Sequence, residues 1–276
     1  MLILFPTLWT DRAPPGRSGI LFKKNVFSRR YMRNNIIIHP FAITSKNSFI
    51  KRAMILLLLF ILSSCASTDQ TVDSLEPFNR KVQTFNDTVD KYALKPVAQG
   101  YAYVTPEFFR KGMRNVFDNL GDINVFINQF LQSKIDTGLS DMFRFITNST
   151  LGIAGLFDVA TEVGLVAHDE DFGQTFAVWG FNSGPYLVLP FLGPATIRDG
   201  IGLVPGYFTN PVSYIDDDTT RWSVFGAGII VERERLLKQE ELIIGDRYLF
   251  IRDAYLQRRQ YLINDGVVGE DPFLAD

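Results

Sequence analysis

Residues 76–92 read Glu76-Pro77-Phe78-Asn79-Arg80-Lys81-Val82-Gln83-Thr84-Phe85-Asn86-Asp87-Thr88-Val89-Asp90-Lys91-Tyr92. Phe78, Val82, Phe85, Val89 and Tyr92 recur at four- and three-residue spacing, which lays one apolar stripe along an amphipathic helix. The stripe ends before Pro96, where a helix is expected to stop. The same period returns downstream. Ile123, Phe126, Ile127, Phe130 and Leu131 follow it, as do Leu139, Met142, Phe143 and Ile146. Thr105-Pro106 reads as an N-cap followed by proline at the first helical position. Asp218-Thr219-Thr220 can cap a helix running to about Lys238, and a last charged helix is expected from about Glu240 to Leu262. No segment alternates with period two between hairpin turns. The expectation is an all-α fold, one helical domain over residues 75–264 without repeats or internal linkers.

Two stretches depart from amphipathicity. Leu151-Gly152-Ile153-Ala154-Gly155-Leu156-Phe157 is apolar and glycine-spaced. Gly184 to Pro194 is apolar on every side and bracketed by breakers. A segment apolar all round is buried in protein or in lipid. Its prolines and short length exclude a spanning helix, because freed backbone groups would go unsatisfied in hydrocarbon. The second stretch therefore reads either as a core hairpin or as a hairpin that dips into a membrane or lines an apolar conduit.

Charge divides the 276-residue chain unevenly. Ahead of Cys65 stand 10 of the 28 Lys and Arg residues and one acid, Asp11, leaving 18 basic against 29 acidic residues from Cys65 onward. An acidic region of that kind argues against nucleic acid as a partner, since affinity for a phosphate backbone comes from Lys and Arg. The 24 phenylalanines suit an apolar surface and a large core equally well.

Cys65 is the single cysteine, which rules out an intrachain disulfide. Lys51 and Arg52 precede the apolar run Ala53 to Leu62, about half the length a transmembrane helix needs but suited to the h-region of a secretory signal. Leu62-Ser63-Ser64-Cys65 then resembles a bacterial lipobox, whose cysteine is acylated. This gives residues 51–64 as signal peptide, Cys65 as the lipidation site and 65–74 as a lipidated tether. Multiple acyl chains on Cys65 would anchor the chain stably. Ala66 and Ser67, in place of an aspartate, suggest sorting to the outer membrane. Residues 1–50 are basic and aperiodic, and read as a mis-assigned or extended N-terminus. Residues 265–276 form an acidic tail.

Catalytic signals are weak. His168 sits in His168-Asp169-Glu170-Asp171, but no second histidine follows Cys65 to complete a usual zinc set, so a solvated loop is the expectation and no metal is assigned. Gly180-Phe181-Asn182-Ser183-Gly184 places its serine one position too late for a nucleophile elbow. Gly226-Ala227-Gly228 has Val231 where a dinucleotide loop needs a third glycine. Asp216-Asp217-Asp218 is explained by helix capping. No enzymatic activity, catalytic residue or cofactor is expected, apart from the acyl chains.

The ordered motifs together resemble the VacJ/MlaA lipoproteins. Glu76-Pro77-Phe78-Asn79-Arg80, Phe85-Asn86, Lys95-Pro96-Val97-Ala98 and Asn148-Ser149-Thr150-Leu151-Gly152 carry the resemblance first. Gly155 to Ala160, His168 to Thr175, Gly184 to Pro190, Gly193-Pro194, Arg198-Asp199 and Arg252 to Arg259 continue it, over about residues 74–262. The resemblance implies a ring-shaped helical protein with a central amphipathic channel, held at the periplasmic side of the outer membrane beside trimeric porins. It implies removal of mislocalised phospholipids from the outer leaflet and their transfer to a soluble periplasmic carrier, then to an inner-membrane transporter. Hydrophobicity and motif position put Phe78, Phe85 and Asn86 on the lipid path or at the membrane. The same reasoning puts Leu151, Leu156 and Phe157 there, together with Tyr186, Leu187, Leu189 and Phe191. Two rivals stand beside this reading. One is a structural, porin-associated lipoprotein that moves no lipid; the other is a lipid acyl hydrolase dependent on His168.

Overall fold

The computed structural model describes residues 73–267. Cys65, the signal segment, residues 1–50, most of the tether and nearly all of the acidic tail lie outside the described residues. The elements in order are α1 (Glu76–Val89), α2 (Lys95–Val104), α3 (Glu107–Leu131), α4 (Ile135–Thr150), α5 (Val159–Glu162) and α6 (Phe172–Val178). After these come β1 (Tyr186–Leu189), β2 (Gly193–Thr196), α7 (Ile197–Thr209), α8 (Asp218–Arg235) and α9 (Arg247–Ile263). The fold is mostly helical, as the periodicity predicts.

Boundaries follow capping chemistry, and four differ from the sequence expectation. First, the chain does not stop before Pro96. A π-helical turn over Asp90–Leu94 joins α1 to α2. Proline lacks an N–H and its ring crowds the carbonyl four residues back; a widened turn at that point accommodates both. Second, Pro106 itself is the N-cap of α3, with extended ψ, and Thr105 ends α2. Third, the last helix starts late. Gly245 adopts φ +78°, a left-handed conformation, and Asp246 then caps α9 by accepting from the amides of Tyr248 and Leu249. The cap of α8 is Asp217, accepting from Thr220 N at 2.6 Å, one residue before the expected Asp218.

The apolar stretch Gly184–Pro194 contains a β-hairpin that the period-two test misses. β1 and β2 pair antiparallel, Tyr186 with Thr196 through to Leu189 with Gly193. Its first strand shows no polar alternation because protein covers both faces to different depths: Tyr186 and Val188 are buried, Leu187 and Leu189 half-buried. Tyr186, Val188, Tyr248 and Tyr255 form a small core cluster, with Val82 and Leu256 packed on it. Tyr186 meets the Tyr248 and Tyr255 rings at 6.1 and 6.0 Å between centroids.

The outer edge of β1 has a helix for a neighbour, and two side-chain amides take the place of a third strand. Asn79 donates to Tyr186 O at 3.0 Å and accepts from Val188 N at 2.9 Å. Asn86 donates to Leu189 O at 2.9 Å and accepts from Phe191 N at 2.8 Å. Seven helical residues rise about 10.5 Å, and the three strand residues from Val188 to Phe191 span about 10 Å. The two repeats therefore match. The second amide also holds Phe191 at φ +62°, a left-handed conformation costing a non-glycine residue about 1 kcal/mol.

Candidate functional site

The faces of the helices are inverted relative to a water-soluble domain. On α1 the buried positions are Asn79, Gln83 and Asn86, with Asp90 one turn further. Phe78, Phe85 and Tyr92 are exposed. On α4 the buried face is Gly138, Asp141, Arg144 and Asn148, while Ile135, Leu139, Phe143 and Ile146 are exposed. On α7 the pattern recurs: Arg198, Asp199 and Gly202 are buried, and Ile197, Ile201, Val204 and Phe208 face outward. Soluble helices bury their apolar stripe, and soluble monomers seldom expose apolar patches beyond a few hundred Å². Each large side chain left in water forgoes about 1.5–3 kcal/mol. Repeated along α1, α4 and α7, that penalty is removed only by an apolar surrounding. No helix among the described residues is long and apolar enough to cross a membrane.

The polar interior is held by specific pairs. Arg233 clamps Asp90 at 2.7 and 2.8 Å and also reaches Glu240. Arg259 lies between Asp171, at 2.6 and 2.7 Å, and Asp199, at 2.8 Å. Tyr255 donates to Asp199 at 2.6 Å. Burial alone would push the Asp199 carboxyl up, but Arg259 and Arg198 outweigh it and hold it below the ordinary carboxylate value. Burial pushes Glu170 up, against the pull of Lys134 at 2.7 Å.

The His168–Asp171 segment is therefore no solvated loop. His168 Nδ1 lies 2.9 Å from the fully buried Asp141, Asp169 pairs with Arg258, Glu170 takes Gln132 and Lys134, and Asp171 caps α6. These acids are spent on ion pairs and a cap, which is why sequence proximity gives them no common target. Among the described residues no three His, Cys, Asp or Glu side chains are grouped to hold a metal ion.

The residues singled out from the sequence fall in two places. Phe85, Asn86, Leu189 and Phe191 converge at the hairpin tip, where the Phe85 and Phe191 rings meet edge-on at 5.1 Å. Phe85 and Phe191 are exposed, whereas Asn86 and Tyr186 are buried and occupied by the contacts already described. Phe78 is exposed on α1 and Leu187 half-buried on β1. Leu151, Leu156 and Phe157 belong to the loop between α4 and α5. There Leu151 and Phe157 are exposed, and the Leu156 carbonyl accepts from Asn115 of α3 at 3.1 Å. This loop carries Ile153 and Ala154 at φ +54°, a left-handed conformation costing a non-glycine residue about 1 kcal/mol, followed by Gly155 at +86°.

The sequence profile of the MlaA lipoproteins matches residues 71–262. The chain belongs to the MlaA lipoprotein family. It is 34% identical over 218 residues to the intermembrane phospholipid transport system lipoprotein MlaA of Escherichia coli, covering 75% of this chain and 86% of that one. It is 29% identical over 227 residues to the Haemophilus influenzae protein of the same name, covering 78% and 91%. A protein of Rickettsia bellii without assigned function is 35% identical over 195 residues, covering 69% and 76%. A solved structure described as the structural basis for maintenance of bacterial outer membrane lipid asymmetry superposes with TM-score 0.62 at 32% identity, covering 70% of this chain and all of that one. Among MlaA-family motifs, the asparagines of Phe78-Asn79-Arg80 and Phe85-Asn86 gain a physical role here. They complete a strand edge more than 100 residues away, which no local pattern in the sequence announces.

Proposed function

We propose that this chain is an outer-membrane lipoprotein, anchored through acyl chains on Cys65, that removes mislocalised phospholipids from the outer leaflet and passes them to a soluble periplasmic carrier. The relatives named as intermembrane phospholipid transport lipoproteins support the substrate class. The inverted burial carries the reading. A phospholipid resists transfer through water because each buried methylene is worth about 0.8 kcal/mol, and its charged head resists hydrocarbon. A protein whose outer helical faces are apolar and whose inner faces are polar offers each end a matching environment, and a central amphipathic channel would do so continuously. Trimeric porins are proposed as neighbours at the outer membrane, on family resemblance. No bond is broken in this process, so transport requires no catalytic residue or cofactor.

Membrane seating tests the observation on which this rests. With Cys65 acylated, an introduced cysteine is a unique thiol for a fluorophore. In proteoliposomes a label at Phe143→Cys is expected to be quenched by lipid-borne quenchers, and one at the exposed Asp253→Cys by aqueous iodide. Aqueous quenching at both positions would mean that the apolar faces are not covered by lipid. The structural, porin-associated lipoprotein remains the rival. It needs membrane seating but no lipid flux, so outer-leaflet phospholipid separates the two.

A further inference from the structure

The seam where α2, α3 and α8 meet sets two arginines on one carboxylate and holds more donors than its ion pairs consume. Arg110 and Arg114 stand one turn apart on α3 and share a single carboxylate, Glu234 of α8, at 3.3 and 2.7 Å. Arg110 also donates to Ala102 O at 3.1 Å. One turn further along α3, Asp118 is occupied by Arg235 through two contacts of 2.9 Å. Two donors remain. Arg110 Nε and the Tyr101 hydroxyl of α2 are buried without a hydrogen-bond partner. Burial and the Glu234 carboxylate push the Tyr101 hydroxyl up, keeping it a donor at neutral pH. Arg235 takes Asp118 and, at 3.5 Å, Glu232, which leaves Arg110 and Arg114 with the single carboxylate of Glu234 between them.

Buried donors without acceptors cost stability unless something accepts from them. The arginines themselves keep 17% and 21% of their side-chain surface exposed, so the seam is open to a ligand from one side. The corner joining α2 to α3 next to it is apolar: Tyr103, Val104 and Phe108 are each more than 70% exposed. A singly charged anion attached to hydrocarbon matches both halves. We propose that Tyr101, Arg110 and Arg114 seat the phosphodiester of a phospholipid whose acyl chains lie over Tyr103, Val104 and Phe108. This rests on the transport reading for its substrate class and adds the place where the head is read. Arginine suits the role because its planar fork meets phosphate oxygens in pairs.

The test uses the full-length acylated protein in a neutral maltoside detergent, with dihexanoyl phosphatidylglycerol, dihexanoylglycerol and inorganic phosphate as probes, read by calorimetry. The short-chain phospholipid should bind, and the double variant Arg110→Gln/Arg114→Gln should bind it at least about ten-fold more weakly, the scale of a lost charged hydrogen bond. Tyr101→Phe guards against misfolding of that variant. It should weaken binding by roughly five-fold while leaving the ligand-free melting temperature unchanged or raised, because it deletes a buried donor that has no protein partner. Equal binding of dihexanoylglycerol would show that the head is not read and overturn the proposal. Inorganic phosphate binding as tightly as the phospholipid would overturn it as a lipid seat, and unchanged affinity in both variants would overturn it outright. If the seat binds as expected but wild type fails to lower outer-leaflet phospholipid in cells, the transport reading fails and the seat stands. If wild type lowers it and the seat does not bind, the seat alone is wrong.

Discussion

Replacing Asn79 by alanine removes one of the two amides that stand in for a third strand. Asn79 is fully buried and makes three contacts: to Tyr186 O, from Val188 N, and to the Tyr248 hydroxyl at 3.4 Å. The truncation leaves a buried carbonyl and a buried amide of β1 unpaired. Each such group costs about 1–3 kcal/mol, and relaxation recovers part of this, so a loss of about 3 kcal/mol is expected. For a folded region of this size 1 kcal/mol corresponds to about 2–4 °C, which places the melting temperature lower by roughly 6–12 °C. Asn86→Ala should cost less, about 2 kcal/mol, because its two contacts are only partly buried. Hydrogen exchange read by mass spectrometry gives the local answer. Peptides carrying Val188 should lose protection in Asn79→Ala, and those carrying Phe191 in Asn86→Ala, ahead of the helices. A melting temperature within about 2 °C of wild type, with unchanged exchange at Val188, would refute the claim that these amides complete the sheet edge.

Three further outcomes follow from the interior. Gly202→Ala would put a Cβ 2.7 Å from Gly173 N at the α6–α7 crossing, so overpacking of about 2 kcal/mol is expected, and denaturant unfolding showing no loss would mean the helices can part freely. Arg259→Met takes the shared arginine from Asp171 and Asp199, leaving Asp199 with Arg198 and Tyr255, and should cost about 3 kcal/mol at pH 7. Because Asp199 is held below its ordinary value, its contribution is present above the unfolded carboxylate pKa of about 4 and fades as pH falls toward the lower folded value. The deficit of Arg259→Met measured by unfolding should therefore shrink near pH 3, and a deficit independent of pH would contradict the pairing. His168→Ala removes a partner of the buried Asp141 and should lower stability by about 1–3 kcal/mol, while outer-leaflet phospholipid stays at the wild-type level for equal protein abundance. Loss of lipid removal in a normally folded variant would favour the hydrolase reading.

Helix existence was legible because 3.6-residue periodicity and capping signals are local: α3 and α4 contain the stripes read for them, and α8 begins at the Asp218-Thr219-Thr220 signal. The direction of each amphipathic face was not. The stripe Phe78–Phe85–Tyr92 tells that a helix has two environments, and only the lipobox-like Leu62-Ser63-Ser64-Cys65 hints that the apolar one is lipid. The hairpin over Gly184–Pro194 was legible from its bracketing breakers, but its strands were not, because Tyr186-Leu187-Val188-Leu189 is apolar throughout and both its faces meet protein. Helix continuity through Pro96 escaped because a π-helical turn leaves no mark in composition. Of the residues assigned to the lipid path, Phe78, Phe85, Leu151, Phe157 and Phe191 are exposed, while Asn86 and Tyr186 serve the interior. Motif position alone does not tell a side chain that holds a hairpin from one that meets lipid.

Complementation tests phospholipid removal most directly. Wild type and Cys65→Ala would be expressed in a strain lacking its own MlaA-family lipoprotein, and phospholipid exposed in the outer leaflet quantified. Transport by an anchored protein predicts that wild type lowers the exposed phospholipid and Cys65→Ala does not. Wild type that reaches the outer membrane and leaves the exposed phospholipid unchanged would contradict transport and leave a structural envelope lipoprotein as the better reading.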